Sequence, residues 1–150
     1  MRKTIILTLI FTIIGSIFGM NLYKSNYTSI VKAFNEEKIY YFLQEGVYSS
    51  KESLNEAVKE LEYKVIIKKD NKYFVYIGIT RDKEVANKII NIYQNKGINI
   101  YQKEQVINNE EFYNNVTQFD LLINESTTPE EILTIEEVVL ANYEEIIKNN

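Results

Sequence analysis

The stretch YYFLQEGVYSSKESLNEAVKEL, Tyr40 to Leu61, decides how the chain is read, because a later stretch repeats its plan. YFVYIGITRDKEVANKIINIY, Tyr73 to Tyr93, carries the same parts in the same order. Each has an aromatic-rich run that reaches a glycine, then a polar turn, then an amphipathic helix. Gly46 of the first falls on Gly78 of the second. The chain therefore contains a doubled strand–helix unit.

Working outward, Lys38 to Glu45 reads as a strand. Tyr40, Phe42 and Gln44 point to one side and Tyr41, Leu43 and Glu45 to the other, because successive side chains alternate across a strand. Gly46 ends the run. Ser49 or Ser50 can cap a helix that places Leu54, Ala57, Val58 and Leu61 on one face. Glu62 to Lys69 returns as a strand, and Asp70-Asn71 is a tight turn into a third strand, Lys72 to Ile79. Gly78 and Asp82 mark the next junction. The second helix carries Val85, Ala86, Ile89, Ile90 and Tyr93, and stops at Asn95-Lys96-Gly97. Ile98 to Gln102 supplies a fourth strand.

The order strand, helix, strand, strand, helix, strand predicts an α+β fold, a ferredoxin-like βαββαβ sandwich. Both helices are expected on one sheet face, over Tyr41, Leu43, Tyr73, Val75 and Ile77. The other face then displays Tyr40, Phe42, Gln44, Phe74 and Tyr76, with Ile66 and one of Ile100 or Tyr101 beside them. An apolar sheet face of this kind is normally covered by something. Two occupants are open at this stage: the carboxy-terminal part of the chain, and a ligand.

Residues 104–150 lie beyond the doubled unit. Asn108-Asn109-Glu110 starts a helix with Phe112, Val116 and Phe119 on one face, joined by Leu122 or Ile123. Thr128-Pro129-Glu130-Glu131 starts another, with a cap, proline at the first helical position and acids in the first turn. Its stripe is Ile132, Ile135, Val139, Tyr143 and Ile146 or Ile147. At the amino end, an uncharged apolar run from Ile5 to Met20 follows Arg2-Lys3. It predicts a transmembrane helix over residues 1–22 at the short end of what spans a bilayer, with its amino terminus in the cytoplasm. A cleaved signal peptide and a buried helix are the alternatives; cleavage lacks a clear Ala-x-Ala site. Residues 23–37 make a juxtamembrane segment, either a linker or a helix continuing from the anchor; 38–103 make the doubled module and 104–150 a two-helix extension.

Composition removes much chemistry. Of 150 residues none is Cys or His, so disulfides, thiolate nucleophiles, Cys/His zinc sites and imidazole acid–base catalysis are absent. The net charge of −4, with both signs interspersed, gives no basic face for nucleic acid. The acidic pairs Glu36-Glu37, Glu110-Glu111, Glu130-Glu131, Glu136-Glu137 and Glu144-Glu145 diverge around a helix axis. They make no facing pair for glycoside hydrolysis and read as solvated helix faces. Asp70-Asn71 lacks the spaced oxygen series of a calcium loop. No catalytic residue, metal site or cofactor is expected. The twelve tyrosines are the notable excess.

The doubled unit resembles the SPOR domain family, small modules of bacterial envelope, division and sporulation proteins. The resemblance rests on Leu43-Gln44-Glu45-Gly46-Val47-Tyr48 followed by Ser49-Ser50, set against a family pattern Val-Gln-Val-Gly-Ala-Phe then Ser. It rests also on Ile77-Gly78 with Ala86 in the following helix. It covers about Lys38 to Lys103. Ile79-Thr80 follow Gly78 where the family has Pro and an aromatic, and Phe74 stands where it often has Arg. The resemblance implies non-catalytic binding of peptidoglycan glycan strands stripped of stem peptides, on the sheet face. It also implies a single-pass anchor in the cell membrane with the domain outside. Gln44 falls on the motif glutamine, and Tyr40, Phe42, Phe74 and Tyr76 lie beside it as expected ligand contacts. The competing expectation is a protein–protein interaction module of a cell-envelope or spore-envelope assembly, without glycan binding, whose partner meets the carboxy-terminal helices.

Overall fold

The computed structural model describes residues 38–148. The predicted anchor over 1–22 and the linker over 23–37 lie outside the described residues. Among the described residues no helix is long and apolar enough to cross a membrane.

The elements run β1 (Ile39–Tyr48), α1 (Lys51–Ala57), β2 (Val65–Lys69), β3 (Lys72–Thr80), α2 (Lys83–Asn95), β4 (Tyr101–Val106), α3 (Glu110–Glu125) and α4 (Pro129–Lys148). The described residues are thus α+β, with four strands in one sheet and four helices. The strand order is β2-β3-β1-β4, and every neighbouring pair is antiparallel. Each half of the doubled unit crosses over a strand of the other half, so β1 and β3 are central.

Local chemistry explains the turns and caps. Asp70 and Asn71 both take positive φ, 48° and 58°. This is the backbone of a two-residue hairpin turn, which Asp and Asn tolerate better than other side-chain-bearing residues. Ser50 caps α1 by accepting from the Ser53 N–H at 3.2 Å. Asp82 caps α2 through the Glu84 and Val85 N–H groups, and Asn109 caps α3 through that of Phe112. At α4, Thr128 Oγ1 accepts from Glu131 N–H while a Glu131 carboxylate oxygen accepts from the N–H of Thr127 and Thr128. That reciprocal arrangement is a capping box, followed by proline where its missing N–H costs nothing.

Several boundaries differ from expectation. β1 does not stop at Gly46 but runs on to Tyr48. The register with β3 shifts twice: between Leu43 and Gln44, β3 advances one extra residue at Ile77, and before Gly46, β1 advances one extra at Glu45. The shifts cancel, so the ladder regains its original register. A Cβ at Gly46 would lie 2.5 Å from the Tyr48 hydroxyl, because Tyr48 folds back to donate to Glu45 at 2.8 Å. The glycine leaves room for that return. α1 is shorter than its apolar spacing suggested, and residues 58–64 form turns before β2 begins at Val65 rather than Glu62. β4 begins at Tyr101 rather than Ile98, since its place is fixed by pairing with Ile39–Gln44.

One sheet face packs on α2. A Cβ at Gly78 would sit 2.8 Å from Leu43 Cδ1 and 3.4 Å from Ile89 Cγ2, so strand, strand and helix meet closely at this glycine and a side chain there would displace Leu43. Val85, Ala86, Ile89 and Tyr93 are the buried stripe of α2. The opposite face is not open. α3 and α4 lie across it, with Phe112, Val116, Phe119 and Ile123 buried from α3 and Ile132, Ile135, Val139 and Tyr143 from α4. The fold is a three-layer arrangement, and its aromatic core lies between the sheet and the tail.

Candidate functional site

The expected ligand surface is the place to start, because the structure gathers most of it. Tyr40 and Phe42 are fully buried, and Tyr76 and Gln44 nearly so; Phe74 is half-buried. Phe42 meets Tyr76 edge-on at 5.2 Å between ring centroids. Both belong to the sheet. The partners above them come from the tail. Tyr40 stacks on Phe112 at 5.3 Å, and Phe42 meets Tyr143 edge-on at 5.1 Å. Phe112 and Tyr143 close the cluster at 5.7 Å. Such pairs add about 0.5–1.5 kcal/mol each beyond the area they bury. Of the two occupants left open by the sequence, the carboxy-terminal part of the chain lies on this face.

Burial pushes the Tyr40 phenol up to about 12, with the Arg81 guanidinium opposing. Its hydroxyl has no hydrogen-bond partner among the described residues. Tyr76 accepts from Gln105 Nε2 at 3.3 Å. Gln44, the amide that a sugar hydroxyl or N-acetyl group would need, is largely shut away with the aromatics.

A second cluster sits where β3 runs into α2. β2 pairs with β3 only as far as Tyr76, so Ile77 to Thr80 have no β2 neighbour. Side chains of the tail take over there. Glu136 Oε1 accepts the Ile79 N–H at 2.6 Å. Asp120 accepts from the Thr80 hydroxyl at 2.5 Å and from the Arg81 N–H at 2.9 Å. The Arg81 guanidinium lies 3.7 Å above the Tyr113 ring and donates to Thr117 at 3.0 Å. Asn124 donates to Asp82, and Lys88 reaches the last carbonyls of α3 at Ile123 and Asn124.

Both carboxylates are raised. Burial is the main cause for Asp120, with the neighbouring Asp82 charge adding to it. Its hydrogen bonds from Thr80 and Arg81 pull the other way and leave it at about 6. Burial also lifts Glu136 well above the usual carboxylate range, opposed by the Ile79 N–H and reinforced by Asp120. Among the described residues, Glu136 Oε2 has no hydrogen-bond partner.

No protein-family model matches the chain, and no match is found among curated proteins or solved structures. The case for function rests on this geometry and on the sequence motifs alone.

Glu136 corrects one expectation: the Glu136-Glu137 pair is not a solvated face, because Glu136 is only 1% exposed. A signal was present in the sequence. Glu136 falls inside the stripe Ile132, Ile135, Val139 and Tyr143, and Asp120 inside Val116, Phe119 and Ile123. A charged residue within an apolar stripe requires a buried partner. Chemically, the cluster fastens helices to a strand end. Among the described residues, no group of three acidic, His or Cys side chains is placed to hold a metal.

Proposed function

We propose that the chain is a non-catalytic module of the cell envelope, held at the membrane by its amino-terminal segment. Its ferredoxin-like, SPOR-like sheet face takes denuded peptidoglycan glycan strands when α3 and α4 are off it. The observation that carries this reading is the concentration of Tyr40, Phe42, Tyr76 and the amide of Gln44 on one face of a doubled βαβ sheet. Sugar rings present apolar faces to aromatic rings, and their hydroxyls and N-acetyl groups need an amide or phenol partner. Phe74 extends the face at its half-buried end. The uncharged run from Ile5 to Met20 and the Arg2-Lys3 leader support an outward-facing, single-pass placement.

The burial of the same face favours a second reading. Phe112 and Tyr143 fill the space above Tyr40 and Phe42, so glycan and tail compete for one surface. If the tail never leaves, the module is an interaction domain whose partner, another envelope protein, meets the outer surfaces of α3 and α4.

Co-sedimentation with sacculi separates the two. The full chain and a form ending at residue 107, which keeps β4 whole and removes α3 and α4, are each mixed with sacculi before and after amidase treatment. Stronger pelleting of the shortened form with denuded sacculi, weakened by Gln44→Ala, supports glycan binding under a displaceable tail. A folded shortened form that stays in the supernatant removes the glycan reading and leaves the protein-partner one.

A further inference from the structure

We propose that Asp120 and Glu136 form a proton-linked latch, which fastens α3 and α4 to the end of β3 and grips harder as the pH falls. The geometry is specific. Three consecutive residues, Ile79, Thr80 and Arg81, all donate to two carboxylates, one from each tail helix. The site exists because β2 stops short, leaving the end of β3 without a strand neighbour on that side. A strand edge left unpaired inside a protein must find other acceptors. Here the acceptors are titratable.

The charges facing each carboxylate are mostly of the wrong sign for an ion pair. Around Asp120 stand Asp82 and Arg81 from the β3–α2 junction and Glu136 from α4. The Arg81 guanidinium is engaged by the Tyr113 ring and Thr117, while its backbone N–H serves Asp120. Around Glu136 stand Asp120 from α3 and the phenol of Tyr93 from α2. Among the described residues, no lysine pairs with either carboxylate. Lys88, the lysine that ties α2 to α3, binds carbonyls and the Asn124 side chain further along.

The sign of the pH effect follows. Both groups hold their protons more tightly in the closed state than in water. Their contribution to closure is complete below the ordinary carboxylate pKa of about 4. It is lost as the pH rises through the closed-state values, about 6 for Asp120 and, for Glu136, one that burial raises well above the ordinary carboxylate range. Proteins held by ion-paired carboxylates behave the other way and loosen in acid. The latch concerns closure of the face, and stands whether that face takes glycan or nothing.

The test is hydrogen–deuterium exchange of the full chain in detergent micelles at pH 5, 6, 7 and 8, with intrinsic exchange rates divided out. Protection of α3, α4 and the Ile79–Arg81 end of β3 is expected to fall roughly tenfold between pH 5 and 8 from Asp120 alone, and further with Glu136. Asp120→Asn and Glu136→Gln should each flatten that slope. Protection that is constant or rises with pH in the unmodified chain overturns the proposal, even if neither variant folds. A slope that survives unchanged in both folded variants overturns it equally.

Discussion

Phe112 of α3 lies stacked on Tyr40 of β1, their ring centroids 5.3 Å apart and their planes 26° from parallel. The contact joins the first strand of the module to the first helix of the tail. Phe112 also packs against Tyr143 of α4. One ring therefore touches all three components of the layer.

Replacing Phe112 should cost accordingly. Phe112→Ala removes a fully buried ring and is expected to destabilise by about 3–5 kcal/mol. Leu121→Ala on the same helix, at a residue 57% exposed, should fall within about 0.5 kcal/mol of the parent. Urea unfolding followed by circular dichroism measures both. Equal midpoints would mean that the tail does not form part of the cooperative unit.

Glu136 distinguishes acceptor from charge. Glu136→Gln keeps an oxygen for the Ile79 N–H and removes a buried ionisable group, so stability at pH 8 should hold or rise. Glu136→Leu leaves that N–H without an acceptor and should cost about 1–3 kcal/mol relative to Gln. A leucine variant as stable as the glutamine one would show that the hydrogen bond carries no weight.

Gly78 admits a sharper test, because its neighbour is known. Gly78→Ala drives a methyl into Leu43 Cδ1 and should cost about 1–3 kcal/mol. Leu43→Ala removes the obstruction at its own cost of about 2–5 kcal/mol. The double variant should be more stable than the sum of the two losses predicts, with a coupling of about 1 kcal/mol or more. Simple additivity would place the strain elsewhere.

The caps are the mildest test. Asn109→Ala and Thr128→Ala each remove one side-chain acceptor at a helix start, and each should cost about 1 kcal/mol. The two sites lie on different helices and should add. A loss well above this at Thr128 would mean that the interhelical turn does more than begin α4.

The order of elements was legible because each carried its own punctuation: Asp70-Asn71, Asp82, Gly97, Asn109 and Thr128-Pro129. The sorting of Tyr40, Phe42 and Gln44 away from Leu43 was legible from alternation alone. β4 was misplaced because it lies at the sheet edge and its sequence, Tyr-Gln-Lys-Glu-Gln-Val, has no apolar side to mark it. Ile98 and Ile100 drew the strand toward themselves, but pairing with β1 outweighed them. The stripes of α3 and α4 declared that something would be buried, without saying against what. A helix pattern specifies a face, not its counterpart. Glu136 carries two opposed signals, an acidic pair with Glu137 that marks a solvated face and a place within the apolar stripe that marks burial, and the second prevails.

The two register shifts between β1 and β3 bear on how such a chain can change over descent. Each strand holds one residue more than a regular ladder needs, at Glu45 and at Ile77, and the two surpluses cancel. Glu45 and Ile77 are the two positions that face no partner, so losing either one, alone or with the other, leaves every pairing on both sides in place. Losing a paired residue instead slips the rest of its strand by one and exchanges core for surface from that point on. The two strands can therefore change length by a residue at Glu45 and at Ile77 independently, and insertions or deletions within the ladder should be found there.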